Sequence, residues 1–394
     1  MDDRARRFQV ASRMASIAPF EVMEIQTLAR RLEAQGRDVI HLEIGEPDFA
    51  TPAPVVQAAK RALDAEPLFY TSALGIPALR EAISRFYGTR YGVEVPADRI
   101  VVTAGSSAAL LLAFGVLLDA GDEVLLSDPG YPCNRHFVHA LGGTPRLVPV
   151  GADTRYQLTP ELALRAWSPR TRVAMVASPS NPTGTLVEPD EVAALAALAR
   201  ARGATLLVDE IYHGLTYGRD ARTALEAGDD VFVINSFSKY FQMTGWRLGW
   251  LVAPAPYVRE IEKLAQNLYI SPSTLAQHAA LAAFEPATIA ILEARRRELA
   301  QRRDFLLPAL ASLGFSVPVR PEGAFYVYAD CSALTDDSFA FARAVLENAG
   351  VAITPGKDFG RHAPERHVRI AYTQPVARLE EAVARLRGHL RAGS

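Results

Sequence analysis

Residues 234–250 read INSFSKYFQMTGWRLGW, and two positive charges in this stretch have no obvious partner. Its apolar beginning is typical of a buried strand, which ends in a polar turn containing Ser236, Ser238 and Lys239. Arg247 follows after a loop, yet residues 231–258 contain no Asp or Glu that could balance Lys239 and Arg247. The turn is therefore either a solvated surface feature or the binding site of an anion.

The length and composition of the chain are those of a globular enzyme. A chain of 394 residues is too long for one ordinary core, so we expect two domains or one large α/β unit with an appendage. Apolar residues make up 49% of the sequence and charged residues 22%, with a formal net charge of −2. This balance gives no general electrostatic reason to expect a nucleic acid or an anionic membrane as partner.

The cysteines and the apolar stretches indicate the compartment. Cys133 and Cys331 are the only cysteines, so no disulfide framework is predicted. The opening MDDRARRFQV lacks the apolar core of a signal peptide, and the longest apolar stretch, residues 108–118, is too short to span a bilayer. We therefore expect a cytoplasmic protein without a membrane segment.

Apolar strands alternate with helices through the first two thirds of the chain. We predict strands at residues 99–105, 122–129, 172–180, 204–210 and 230–238, and helices at 106–121 and 189–203. This order indicates an α/β fold with a mostly parallel sheet covered by helices. Ligands of such sheets bind beyond the carboxyl ends of the strands. The polar residues expected at that edge are Ser106, Ser107, Asn181, Asp209, Ser236, Ser238 and Lys239.

The remainder of the chain suggests a smaller α+β domain. A long helix at 284–313, a strand-like segment at 315–330, a helix at 338–348, strands near 351–356 and 367–373, and a final amphipathic helix are predicted. We expect an N-terminal arm at 1–19, a part of the small domain at 20–48, a large domain at 49–283 and the rest of the small domain at 284–394.

Other kinds of site find little support in the sequence. Both the P-loop pattern and the dinucleotide pattern G-x-G-x-x-G are absent, since no two glycines stand two residues apart. No G-x-S-x-G nucleophile turn occurs, and Ser107 lies in AGSSA, which suits a phosphate-binding helix start better.

A metal site is also disfavoured. Cys133, His136 and His139 have a regular spacing of three. On a helix, however, the outer two would point about 120° apart. HExxH is missing as well, and no metal is predicted.

Taken together, the polar residues suit one cofactor. Pyridoxal 5′-phosphate (PLP) needs an amine for its aldehyde, donors for its phosphate and an acid opposite its pyridine nitrogen. Lys239, the Ser106–Ser107 turn, Arg247 and Asp209 would supply these groups at one sheet edge.

Six motifs resemble the class I and II aminotransferases of PLP fold type I, from about residue 10 to the end of the chain. They are GEPDF (45–49), YTSALGIPALREAI (70–83), SPSNPTG (178–184), VDEIY (208–212), SFSKYFQMTGWRLGW (236–250) and VRIAY (368–372). The combination of N-P-T-G, D-E-x-Y, S-x-S-K and G-W-R-x-G in this order is highly specific. The resemblance implies the fold and a PLP-dependent amino transfer.

The resemblance also implies roles for the residues around the cofactor. Lys239 matches the lysine that bonds the aldehyde and shuttles a proton, and Asp209 matches the partner of the pyridinium nitrogen. Asn181 and Tyr212 match the residues that bind the phenolic oxygen, and Tyr131 aligns with the aromatic residue that stacks on the ring. Phosphate contacts are expected from Arg247, Ser236, Ser238, Ser106 and Ser107.

Substrate and subunit contacts are implied in the same way. Arg369 corresponds to the arginine that clamps the substrate α-carboxylate, and Gly45 would let the backbone approach that group. Tyr70 matches a tyrosine that reaches the phosphate of the neighbouring subunit, which implies a homodimer.

The amino donor remains open at this point. A subgroup of aspartate aminotransferases has a lysine where this chain has Ser107, which weakens aspartate as donor unless a cation such as Arg13 approaches. Ile17, Phe20, Tyr131 and Phe325 suggest an apolar pocket for alanine, branched or aromatic donors. Alternatives are a PLP-dependent carbon–sulfur β-lyase and, more remotely, a non-catalytic regulatory module.

Overall fold

The computed structural model describes residues 10–392. Its α-helices are α1 (Glu21–Ala34), α2 (Ala53–Ala65), α3 (Pro77–Tyr91), α4 (Gly105–Leu117), α5 (Pro132–Ala140), α6 (Pro160–Ala166), α7 (Pro189–Ala201), α8 (Ala255–Leu268), α9 (Thr274–Leu281), α10 (Pro286–Ser312), α11 (Ser338–Ala349) and α12 (Val376–Ala392). The strands are β1 (Ile40–His41), β2 (Ile100–Thr103), β3 (Glu123–Asp128), β4 (Thr144–Pro149), β5 (Thr171–Ala177), β6 (Thr205–Asp209), β7 (Phe232–Ser236), β8 (Gly249–Val252), β9 (Tyr326–Asp330), β10 (Val351–Ala352), β11 (Thr354–Pro355) and β12 (His367–Ala371).

The largest sheet has seven strands in the order β2-β8-β7-β6-β5-β3-β4. Strand β8 runs antiparallel to both its neighbours, and the other pairs are parallel. Strands β2, β7 and β8 are buried along their whole length, as expected for a sheet covered by helices on both faces. This confirms the α/β fold with a mostly parallel sheet.

Two small sheets complete the structure. Strand β1 pairs in parallel with β10, which joins the segment after α1 to the C-terminal part of the chain. Strands β11, β12 and β9 form an antiparallel sheet in which Arg369 of β12 lies opposite Tyr328 of β9. The limits of the domains stay a prediction.

The predicted elements recur with small differences at their ends, except over residues 315–330, and the structure has further elements that were not predicted. Strands β4 and β8 are not among the predicted elements, and β4 is an edge strand with a largely exposed pattern. The strand expected over residues 315–330 is wrong in its first part, because only Tyr326–Asp330 forms a strand and Ser316 makes an isolated bridge to Asp330. Pro318 and Pro321 interrupt this segment, and proline has no N–H to donate to a sheet.

No single helix of residues 10–392 is long and apolar enough to cross a membrane. One pair of helices bent by 79°, Thr274–Phe284 with Pro286–Ser312, is long and apolar enough only when the two are taken together, by length and composition alone. The same residues contain no group of three or more His, Cys, Asp or Glu side chains that could hold a metal ion.

Strand β8 is anchored in the core by Trp250. Its side chain is fully buried, and its Nε1–H donates a hydrogen bond of 3.1 Å to Tyr87 Oη on α3. The indole also packs edge-on against Phe237, with ring centroids 5.0 Å apart. One turn further along α3, the buried hydroxyl of Tyr91 has no hydrogen-bond partner within residues 10–392. The two tyrosines therefore differ in what their hydroxyls contribute.

We predict that Tyr87→Phe lowers the free energy of unfolding by about 1–3 kcal/mol, because it leaves the buried Trp250 N–H without an acceptor. Tyr91→Phe removes a hydroxyl that has no partner, and should cost less than about 0.5 kcal/mol. Urea denaturation followed by fluorescence measures both values. Equal losses in the two variants would contradict the assignment of the hydrogen bond.

Candidate active site

A cavity of about 490 Å³ lies at the carboxyl ends of the parallel strands. Helix α4 and residue Tyr131 follow β2 and β3, while Asn181, Asp209 and Lys239 follow or end β5, β6 and β7. Because these strand ends meet at one sheet edge, residues far apart in sequence line the same space. The residues expected there that do line it are Gly45, Ser106, Ser107, Tyr131, Asn181, Asp209, Tyr212, Ser238, Lys239, Arg247 and Arg369.

Lys239 reaches into the cavity from the turn after β7. Its Nζ donates a hydrogen bond of 2.7 Å to the carbonyl oxygen of Gly45. Burial lowers the pKa of the Lys239 amine to about 8, and the positive charges of Arg369 and Arg247 act in the same direction, whereas Glu46 opposes them. A larger share of this amine is therefore neutral near physiological pH than in an exposed lysine.

Asp209 ends strand β6 and is buried. Its Oδ1 accepts a hydrogen bond of 3.1 Å from the backbone N–H of Ile211. Burial raises the pKa of the carboxyl to about 6, and both that hydrogen bond and Lys239 counteract the rise. Glu210 points away from the cavity, as strand alternation predicts, and accepts hydrogen bonds from Thr223 and Ala224.

Two glycines allow Arg247 to approach the start of helix α4. A Cβ on Gly105 would lie 2.6 Å from Arg247 Nη2, and the φ of +79° at Gly105 also favours glycine. A Cβ on Gly249 would lie 2.9 Å from the backbone nitrogen of Ser106. The first N–H groups of a helix lack partners inside the helix, so this corner joins free donors to a guanidinium. It is suited to an anion such as phosphate.

Arg369 occupies another part of the cavity and is 5% exposed. Its Nη1 donates to Asn181 Oδ1 at 3.0 Å, and its Nη2 donates to the carbonyl oxygen of Glu43 at 2.6 Å. A Cβ on Gly45 would lie 3.9 Å from Nη1 and 2.9 Å from the hydroxyl of Tyr326. Gly45 therefore brings the backbone close to the guanidinium.

The three cations of the cavity, Lys239, Arg247 and Arg369, form no ion pair with an Asp or Glu of residues 10–392. Carboxylates do line the same space, but they have other partners. Glu43 pairs with His41, Glu46 accepts from Thr244, and Asp358 accepts from the backbone of Glu21. Lys239 and Arg247, which have no acidic residue near them in the sequence, thus form no ion pair in the folded structure of residues 10–392 either.

Sequence reasoning missed Tyr326, which is fully buried on β9 and lines the cavity. Its hydroxyl lies 2.9 Å from the hydroxyl of Tyr212, and the guanidinium of Arg369 lies 4.3 Å from the centre of its ring. Strand alternation puts Tyr326 on the same face of β9 as Tyr328, but only the pairing with β12 brings that face next to Arg369.

Two predicted cofactor residues do not line the cavity. Ser236 Oγ accepts a hydrogen bond of 3.0 Å from the backbone N–H of Ser238 and donates one of 3.3 Å to the carbonyl oxygen of Leu248, so it shapes the turn. Its contact to a phosphate stays a prediction. Tyr70 is 79% exposed and lies outside the cavity of its own chain.

The expected donor side-chain pocket stays a prediction. Phe20 and Tyr131 line the cavity, whereas Ile17 and Phe325 do not, and Arg13 donates to the carbonyl oxygen of Ala140 at 3.2 Å. The other apolar side chains that line the cavity, apart from Tyr212 and Tyr326, are Val22, Met23, Leu110, Pro132, Ala177, Ile211 and Phe359.

Comparisons with known proteins agree with this geometry. Residues 37–386 match the family "Aminotransferase class I and II". The valine–pyruvate aminotransferase of Mycobacterium tuberculosis is 42% identical over 374 residues, covering 94% of this chain and 96% of that protein. An aspartate aminotransferase of Geobacillus stearothermophilus is 34% identical, covering 98% and 99%.

Among solved structures, an aminotransferase from M. tuberculosis superimposes with a TM-score of 0.94 at 41% identity, covering 98% of this chain and all of that one. The similarity thus extends over the strands, the cavity and the C-terminal sheet alike. On this basis the chain belongs to the class I and II aminotransferases.

Proposed function

We propose that this aminotransferase holds PLP in the cavity and moves the amino group of a neutral L-amino acid to a 2-oxo acid by a ping-pong mechanism. The observation that carries the proposal is the set of three cations without carboxylate partners, facing one cavity with the buried Asp209. When bound, PLP supplies an electron sink for the carbanion formed at the substrate Cα.

The residues present fit this cofactor. Arg247 and the start of α4 would hold the phosphate, in the corner that a Cβ on Gly105 would fill. Lys239 would bond the aldehyde, Asp209 would keep the pyridine nitrogen protonated, and Asn181 and Tyr212 would bind the phenolic oxygen. Tyr131 would stack on the ring. Ser106, Ser107 and Ser238 line the same cavity and would add donors to the phosphate.

Lys239 is the proposed acid–base group of the reaction. A general base works best when its pKa lies near the operating pH, and the pKa of about 8 at Lys239 meets that condition. When it is not bonded to the aldehyde, the Nζ of Lys239 would take the proton from the substrate Cα. Arg369 would hold the substrate α-carboxylate with a bidentate pair of hydrogen bonds and so fix which Cα bond faces Lys239.

The lining favours an uncharged donor side chain. Lys239, Arg247 and Arg369 are assigned to the aldehyde, the phosphate and the α-carboxylate, and no other Lys or Arg of residues 10–392 lines the cavity. A second carboxylate of aspartate would therefore find no further cation among the described residues that line the cavity. Phe20, Val22 and Met23 offer apolar contacts instead, which suit alanine, branched or aromatic donors. The relative named for valine and pyruvate agrees with this choice.

A homodimer is proposed from the surface around Tyr70. Phe69 and Tyr70 are 76% and 79% exposed, and Leu268 and Ile270 are exposed by about half. The hydroxyl of Thr274 donates to the carbonyl oxygen of Phe69 at 2.7 Å, so these two segments are neighbours. Their apolar side chains would be covered by a second copy of the chain, which would receive Tyr70 at its phosphate.

Lys239→Ala should abolish amino transfer and prevent borohydride from fixing PLP to the protein, whereas Lys263→Ala, a change at an exposed ion-paired lysine, should leave both intact. In the wild type, the rate at which PLP adds to the apoprotein should rise with pH, reach half of its maximum near pH 8, the pKa of Lys239, and level off above it, because the neutral amine is the nucleophile. Peptide mapping locates the adduct. A lysine other than Lys239 carrying it would contradict the proposal.

A donor and acceptor panel, followed by the absorbance of the cofactor, tests the substrate class. We expect kcat/KM for valine, alanine or phenylalanine with pyruvate to exceed that for aspartate by at least about tenfold, since one charged hydrogen bond is missing for the latter. Aspartate as the preferred donor would contradict the apolar pocket. Release of pyruvate and ammonia from a cysteine conjugate without any oxo acid would instead identify a β-lyase.

Mixing two impaired variants tests the shared site. Lys239→Ala and Tyr70→Ala chains should each have low activity, yet mixed dimers should regain activity, because one of their two sites combines Lys239 from one chain with Tyr70 from the other. Sedimentation measures the dimer separately. If the mixture shows only the sum of the separate activities, Tyr70 does not act across an interface.

A further inference from the structure

Tyr326 contacts both a residue assigned to the cofactor and a residue assigned to the substrate. Its hydroxyl is 2.9 Å from that of Tyr212, which is assigned to the cofactor, and its ring lies under the guanidinium of Arg369, which is assigned to the substrate. The rings of Tyr212 and Tyr326 meet edge-on, with centroids 5.8 Å apart at 80°. One side chain thus contacts a proposed cofactor residue and a proposed substrate residue at once.

The backbone confines the hydroxyl of Tyr326 from another side. A Cβ on Gly45 would lie 2.9 Å from this oxygen, so only glycine leaves room for it. The carbonyl oxygen of the same Gly45 accepts the hydrogen bond of 2.7 Å from Lys239 Nζ. Tyr326 is therefore fixed between the segment that contacts the lysine and the tyrosine that faces the cofactor.

Either hydroxyl can donate in the Tyr212–Tyr326 hydrogen bond, and a ligand oxygen beside Tyr212 would set its direction. Each hydroxyl has one proton, so a Tyr212 that donates to a ligand oxygen must accept from Tyr326. Burial raises the pKa of both phenols, which keeps Tyr326 protonated and able to donate. A hydroxyl that accepts a hydrogen bond becomes a stronger donor, because linked hydrogen bonds polarise one another.

We propose that Tyr326 is a positioning residue whose role has two separable parts. Its hydroxyl orients Tyr212 and strengthens it as a hydrogen-bond donor, and its ring holds the guanidinium of Arg369 in position. The first part rests on the proposed function, since it needs PLP in the cavity. The second part needs only a carboxylate at Arg369, held there by a guanidinium whose position the ring restricts.

Two substitutions separate the parts. Tyr326→Phe removes the hydroxyl and keeps the ring, whereas Tyr326→Leu removes both. Tyr328→Phe is the matched control, because Tyr328 lies on the same face of β9, is buried, and stacks on His367 outside the cavity. All are studied as PLP-loaded protein, with thermal unfolding as a check that each variant is folded.

The first readout is the pH midpoint at which the visible absorbance of the bound cofactor changes. A weaker donor at Tyr212 stabilises the ionised ring oxygen less, so Tyr326→Phe should move the midpoint upward by about 0.5 unit. Tyr326→Leu should move it as far, and Tyr328→Phe should not move it. A midpoint in Tyr326→Phe within about 0.1 unit of the wild type overturns the role of the hydroxyl.

The second readout is the dissociation constant of 3-methylbutanoate, a carboxylate without an amino group, measured from the same absorbance. Tyr326→Leu should raise it about fivefold or more, because the guanidinium loses the nearer of its two aromatic rings and keeps only Phe359, whose ring centre lies 4.9 Å away. Tyr326→Phe should stay within about twofold of the wild type. An unchanged constant in Tyr326→Leu overturns the role of the ring. If this variant does not fold, Tyr326→Met, which is unbranched and adaptable in a core, takes its place.

Failure of the inference and failure of the proposed function give different results. A wild-type protein that takes up no PLP contradicts the function itself. A wild type with the expected absorbance, together with Tyr326 variants that match it in both readouts, contradicts only the inference.

Discussion

Buried positive charge without a carboxylate partner is the constraint on which this site depends. Removing a cation from water is costly unless an opposite charge or a full set of hydrogen bonds replaces the solvent. Arg369 is 5% exposed, and its two Nη atoms donate to an amide oxygen and a carbonyl oxygen without neutralising its charge. Its buried Nε has no hydrogen-bond partner within residues 10–392. The free energy for holding such a group comes from the surrounding sheet and core, and it is recovered when an anionic ligand binds.

The sheet supplies this support through backbone geometry. Gly249 of β8 packs against the backbone of Ser106, and Gly105 opens the space that Arg247 fills, so the turn after β2 and the turn after β7 form one corner. Trp250, next to Gly249, is held by Tyr87 and Phe237 in the core. Packing far from the ligand therefore determines where the guanidinium points.

Much of this arrangement follows from the sequence. Apolar strands that end in polar turns predicted the sheet edge with Asp209 and Lys239 on it, and the resemblance to the aminotransferases implied the phosphate-binding role of Arg247. The edge strand β4 escaped notice because it is largely exposed, and β8 was not predicted either. Tyr326 and the true ends of β9 depend on strand pairing with β12, which is a contact between distant segments. The domain limits and the cytoplasmic location stay predictions.

Burial acts in opposite directions on the two titrating groups of the cavity. It lowers the pKa of Lys239 to about 8 and raises that of Asp209 to about 6, because in each case the charged form loses hydration. The two values fall on either side of neutral pH, so near pH 7 the acid is mostly ionised and a fraction of the amine is neutral. Both states suit the proposed roles: a carboxylate opposite a pyridinium nitrogen, and an amine that can act as nucleophile and base. A single physical effect, desolvation at the end of a parallel sheet, thus prepares an acid and a base for different tasks. The two groups also differ in their surroundings. The backbone N–H of Ile211 donates to Asp209, whereas the positive charges of Arg369 and Arg247 act on Lys239.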